Sequence, residues 1–212
     1  MRYLAVFLIM SLGGFSHGAA AQQAMVNDLA EMARFSDHPL TPAQRAEFEW
    51  FSSGALYFAA FYVTPQSGGF AWYEEAGSLR AARAGAEFAC RAIRTAGEGE
   101  CILYAVIRPR RGPASDVGDI PQGLAWQLVD EAVEILPGVY YSVAISEAGS
   151  WGISGPQPDA QTAERVAMAF CEEGHDPRVP DSLASGLKAD MLAEMRRRGF
   201  LRCRVIDTVF AE

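Results

Sequence analysis

Ala82, Ala86 and Cys90 fall at i, i+4 and i+8, and Ala163, Ala167 and Cys171 repeat that spacing 81 residues further on. Residues four apart share one face of a helix. Each stretch therefore predicts a helix whose inward stripe is built of small side chains and closed by a thiol. The offset of 81 runs without a gap from Gly68/Gly149, through Phe70/Trp151 and Trp72/Ile153, to the two cysteines. A turn glycine, an aromatic strand and a cysteine-ended helix that share one offset predict an internal duplication.

The flanking residues complete the unit. Residues 54–65 are aromatic and β-branched, which predicts a largely buried strand. Pro65, Gln66, Ser67, Gly68 and Gly69 make a turn. Residues 70–76 follow as a second strand with Phe70 and Trp72 on one face. Ser78 is placed to cap a helix reaching Arg94, and residues 101–107 give a third strand led by Cys101. The second copy reads the same way. A strand over 139–146 carries Tyr141, Val143 and Ile145 on one side, a turn spans 147–150, and a short strand holds Trp151 and Ile153. The helix follows, and residues 201–209 form the last strand. The predicted class is α+β: a duplicated strand-strand-helix-strand unit with antiparallel-rich sheets and helices on one face.

Cys101 and Cys203 are 102 residues apart, so the second copy carries 21 more residues before its last strand. Asp181 or Ser182 can cap a helix in this insertion. Leu183, Leu187, Met191 and Met195 recur every four residues along it, Arg196, Arg197 and Arg198 suit its C-terminal dipole, and Gly199 closes it. The first copy completes its unit without such a helix. The insertion is thus expected to be dispensable for folding, and its apolar stripe is a candidate partner contact, the alternative being a helix that caps its own sheet.

Other segments frame the two units. Arg2, the apolar run 4–12 and Ala19-Ala20-Ala21 predict a signal peptide over residues 1–21. The run is too short for a membrane span, which needs roughly 20 apolar residues, and no later stretch is long and apolar enough. Met25, Leu29, Met32 and Phe35 suit a short helix that His38-Pro39 breaks. Thr41, Pro42 and Gln44 then form a capping box for another, with Phe48 and Phe51 inward. Residues 22–52 are accordingly expected to be a helical segment, 53–109 the first repeat, 110–137 a linker and helix, and 138–212 the second repeat, with its insertion near 176–199.

The formal net charge is −8. An acidic chain lacks the concentrated basic surface that nucleic acid requires, so no nucleic-acid partner is expected. Cys90, Cys101, Cys171 and Cys203 are the only cysteines. An even count in an exported chain predicts disulfides, with three connectivities open. Order within the repeats favours Cys90–Cys101 and Cys171–Cys203. Zinc is the competitor, but there is no Cys-x-x-Cys pair, so no metal site is expected.

At Gly54-Ala55-Leu56, Gly69, Trp72, the Ala82/Ala86/Cys90 helix and Cys101-Ile102-Leu103, the unit resembles a small repeat domain of unknown function found in secreted bacterial proteins. Trp151, Ala163, Ala167, Cys171 and Cys203 carry the resemblance into the second copy, which lacks the Gly-Ala opening. The resemblance covers residues 54–109 and 139–210. It implies a compartment, periplasmic or secreted, and a shape, but no activity.

No motif carries catalysis. Beyond the signal only His38 and His175 remain, neither beside a nucleophile, and no nucleophile elbow, His-Glu-x-x-His or phosphate loop occurs. Glu74-Glu75 and Glu172-Glu173 are adjacent carboxylates that a strand would point to opposite faces, and a solvated face or loop is expected for both. Phe70, Trp72, Trp151, Tyr57 and Tyr141 could make a carbohydrate or peptide platform, with core packing the favoured reading. A 5-aminolevulinate synthase assignment would need pyridoxal phosphate on a lysine. Lys188, the only lysine, lies on the inserted helix, so neither that activity nor any cofactor is expected. Two classes stay open. One is a non-catalytic exported binding protein for a periplasmic protein or cell-wall ligand, such as an inhibitor of, or protective factor against, a cell-wall-active enzyme. The other is a periplasmic enzyme with a dispersed site.

Overall fold

The structure is a computed structural model and describes residues 30–56, 58–94, 99–110, 136–174 and 185–211. The expected signal peptide, the expected linker and helix of 110–137 except residues 110, 136 and 137, and the expected Asp181/Ser182 cap fall outside the described residues.

Four strands form the first sheet: β1 (Ala30–Arg34), β2 (Ala59–Val63), β3 (Phe70–Tyr73) and β4 (Ile102–Pro109), in the order β1-β4-β2-β3 and antiparallel throughout. Helix α1 (Pro42–Gly54) precedes β2, and α2 (Leu79–Ile93) joins β3 to β4. Alternation along the strands divides the side chains between two faces. Phe61 and Trp72, paired across β2 and β3, lie on the α1 side with Tyr104, where Phe48 and Trp50 meet them. Tyr62 and Tyr73 lie on the other side, under α2. The Ala82, Ala86 and Cys90 stripe is fully buried there. At Gly85 a Cβ would enter the Tyr73 ring, so the helix approaches that ring as closely as a bare backbone allows.

The expected helix around Met25–Phe35 is corrected within its described part. Residues Ala30–Arg34 are a strand, paired in register from Ala30↔Pro109 to Arg34↔Ala105. A segment this short has little helical stability of its own, and the open edge of β4 offers backbone partners that win. Helix α1 follows the sequence closely. Thr41 Oγ1 accepts from Gln44 N at 3.3 Å, and Gln44 Oε1 accepts from Thr41 N at 3.0 Å.

The second unit contains β5 (Tyr140–Ile145), β6 (Trp151–Ile153), α3 (Ala160–Glu173), α4 (Ser185–Arg197) and β7 (Arg204–Phe210), with sheet order β6-β5-β7. Apart from the additional α4, it has the same element sequence and strand order as β2, β3, α2 and β4. N-caps Ser78 and Asp159 stand at the 81 offset, and each accepts from the backbone N–H three residues on. Register extends the correspondence. The pair Tyr62↔Ala71 matches Ala144↔Gly152, so the first strands differ by 82, because the second hairpin turn is one residue shorter. Pairing skips Tyr104 in β4 and Ile206 in β7, one bulge residue in each last strand. Ala163, Ala167 and Cys171 are buried like their counterparts. Both expected bridges are present, Cys90–Cys101 and Cys171–Cys203, each tying the last helical turn to the last strand.

Candidate functional site

Helix α4 does not offer its stripe to solvent. Met191 and Met195 are 0% and 1% exposed, and with half-buried Leu187 they join the core of the first unit, α4 lying along α2. Of the candidate contact residues, Met191 and Met195 are therefore buried within the chain, Leu187 is half-buried against the same core, and Leu183 lies outside the described residues. The helix caps the first unit rather than its own sheet. Glu194 holds its C-terminal end, pairing with Arg197 and with Arg198 Nε at 2.6 Å.

The β5–β6 turn makes a second joint. Tyr73 Oη donates to Ala148 O at 2.8 Å, and Gly77 N donates to Glu147 O at 2.9 Å. Glu147 accepts from Ser78 Oγ at 3.0 Å and from Arg80 Nη2 at 2.6 Å, while the Arg80 guanidinium lies over Phe200. The Glu75 carbonyl lies against Gly149 at this joint, and Glu74 and Glu75 are only 7% and 9% exposed, which corrects the solvated reading for that doublet. Glu74 Oε2 accepts from Leu56 N at 2.8 Å, and Glu75 adopts φ 56°. Two adjacent acids in a run of aromatics look like a loop in sequence. Only the fold reveals that one accepts from a buried amide. Glu172 and Glu173 are exposed, as expected.

Trp72 and Tyr141 pack in the interior, and Phe70 against it; Trp151 is half-buried, and Tyr57 lies outside the described residues. Trp50, which the sequence did not single out, stacks on Trp72 at 4.8 Å and is 43% exposed. Trp72 Nε1 donates to Glu47 at 2.7 Å.

A cleft of about 380 Å³ is lined by Arg34, Asp37, His38, Pro39, Leu40, Arg45, Phe48, Glu49 and Tyr104. Three local features build it. Strand β1 carries Arg34 to the sheet edge opposite Ala105. The capping box starts α1 so that Arg45, Phe48 and Glu49 share one face. Gln44, fully buried, donates to Thr64 O and Gly69 O, and His38 Nε2 donates to Pro65 O at 3.3 Å, which ties both rims to the same hairpin turn. Arg34 is fixed between rings, its guanidinium 5.0 Å from the Tyr104 centroid and 5.5 Å from that of Phe48, and donates to Tyr104 Oη. Arg45 donates a long bond to Leu40 O at 3.5 Å. Among the described residues, no carboxylate pairs with either guanidinium.

Two titrations are displaced. Burial raises the Tyr62 phenol, opposed by a hydrogen bond from Arg83. The Asp159 cap is lowered, first by the Thr162 backbone N–H and then by its hydroxyl. His38, the one histidine in the described residues, is held by a carbonyl and lines the cleft, while His175 lies outside them. Lys188 is half-buried on α4. Among the described residues, no group of three His, Cys, Asp or Glu side chains is placed to hold a metal ion, and no helix is long and apolar enough to cross a membrane. Sequence reasoning missed the cleft because its parts come from a strand read as helix, a loop, one turn of α1 and the bulge residue of β4. Comparison with family models, with curated proteins and with solved structures finds no match to this chain.

Proposed function

We propose that the chain is an exported, disulfide-stabilised binding protein of the periplasm or cell exterior. Its partner is a periplasmic protein or cell-wall component, and a restraint on a wall-active enzyme is the form of binding it fits best. The observation that carries this reading is the cleft: the Arg34 guanidinium over the Phe48 and Tyr104 rings and Arg45 on the same lining, neither paired with a carboxylate among the described residues, held by a helix cap and a hairpin turn. Groups so placed recognise more readily than they react. Two disulfides closing short units support an oxidising compartment, in keeping with the signal at residues 1–21. The second unit is read as a diverged copy of the first, supported by the shared strand order and bulge position, and both as copies of the secreted repeat domain they resemble.

The test is affinity capture from an envelope extract with the oxidised chain over residues 22–212, next to an Arg34→Ala form. One species retained by the first and lost from the second, and a purified wall-active enzyme slowed by the first alone, are the expected results. Turnover of a wall fragment by the purified chain would overturn the reading in favour of an enzyme.

A further inference from the structure

The cleft carries a ligand class as well as a location. Arg34 is clamped by two rings and a hydroxyl, so it is a fixed cation with donors to spare. A guanidinium held in one orientation selects planar, two-oxygen anions. Arg45 stands on the α1 rim of the same cleft, where among the described residues the one hydrogen bond of its guanidinium is the long one to Leu40 O. The acids matter equally. Asp37 and Glu49 share the lining with the arginines, and none of the ion pairs among the described residues engages either of them. Two carboxylates oppose a dianion such as phosphate, but they accept readily from N–H groups. Pro39, Leu40 and the Phe48 ring supply apolar lining between the charges. A carboxylate, a small apolar side chain and neighbouring N–H donors describe one chemical object, the carboxyl end of a peptide.

Resting on the binding reading above, we infer that this cleft takes the free C-terminal carboxylate of a short peptide. Arg34 and Arg45 receive the carboxylate, and Asp37 and Glu49 accept from the peptide N–H groups. Tyr104 acts as a positioning residue that keeps the Arg34 fork aimed. A carboxylate from an acidic sugar shares the first requirement and not the second, so the two sources are separable.

The experiment titrates the oxidised 22–212 chain with N-acetyl-alanyl-alanine, with the same peptide as its C-terminal amide, and with glucuronate, reading backbone amide shifts by NMR. Saturable shifts confined to residues 34–49 and Tyr104 are expected for the acid, with the amide weaker by about tenfold or more, the scale of one charge-assisted pair. Arg34→Lys should reproduce the loss by about the same factor, because the charge stays while the fork goes. Tyr104→Phe should weaken the acid while leaving the amide unchanged, which a merely structural effect would not do. No saturable shifts with the acid on a folded chain, or equal binding of acid and amide, would overturn the inference and leave the capture experiment standing. Glucuronate binding as tightly as the peptide would overturn the peptide assignment. Release of free alanine would overturn the non-catalytic reading, while acid-over-amide preference would still support the site.

Discussion

Gly149 meets the first unit where no side chain fits. Its φ is 99°, and a Cβ there would collide with Glu75 O; at Gly77 the collision is with Ser146 O. Gly149→Ala therefore combines a left-handed backbone with a steric clash at a joint, and should destabilise by about 1–3 kcal/mol or more; denaturant midpoints check it. Gly138, also at positive φ but with nothing near its Cβ, is the control, since only the backbone penalty applies there. Titrations act at the same scale. Asp159 has a folded pKa below its unfolded one, so its contribution is present above about pH 4 and is lost as pH falls through the folded value. Asp159→Asn should flatten the stability profile in that acid window. Tyr62 has a folded pKa above its unfolded one, so its contribution is complete below about pH 10 and is lost as pH rises through the folded value. Tyr62→Phe should flatten the alkaline limb, and thermal midpoints against pH separate the two effects.

Each element shows what a periodicity can and cannot announce. The two alanine–cysteine stripes, both bridges, the α1 capping box and the Ser78 cap were legible, because local spacing and a local hydrogen bond determine them. Strand β1 was not, since its conformation comes from an edge more than seventy residues away, Met32 pairing with Ile107. The stripe on α4 was legible as apolar but silent about what covers it. Its cover turned out to be α2 of the other unit, a non-local fact. The candidate cleft was hardly legible at all, because one of its arginines belongs to that misread strand. A consequence at this scale follows for Met191, fully buried between α4 and the first core. Met191→Ala should cost about 2–5 kcal/mol, read from urea unfolding, whereas Met32→Ala, at an exposed strand position, should cost little. A loss at Met191 no larger than at Met32 would mean that α4 does not belong to the folded core.

The molecule as a whole is two small sheets with separate clusters, joined where turn and helix residues of the second unit enter the core of the first. The core of the first unit extends through Ala148, Met191, Met195, Phe200 and Leu201 of the second, while among the described residues the second unit's own cluster is small: Ala144, Ala167, Cys171 and Cys203. So small a cluster holds little stability of its own, and small units of this kind depend on staples. Here the staples are the Cys171–Cys203 bridge, across a separation of 32, and the seat on the first unit. Loop-closure entropy assigns the bridge about 4 kcal/mol, comparable with the whole stability of a marginal domain. The two units should therefore unfold in one transition while the bridges are intact, with far-ultraviolet circular dichroism and tryptophan fluorescence superimposing, because the second unit cannot outlast the loss of its seat. Replacing Cys171 and Cys203 together by alanine should then split the curve. The second unit would melt first, and Trp50 and Trp72, stacked in the first unit, would report the later transition. Two transitions in the fully oxidised chain would show instead that each unit stands alone, and that the joint at Glu147 and the packing of α4 on α2 contribute contact without cooperativity.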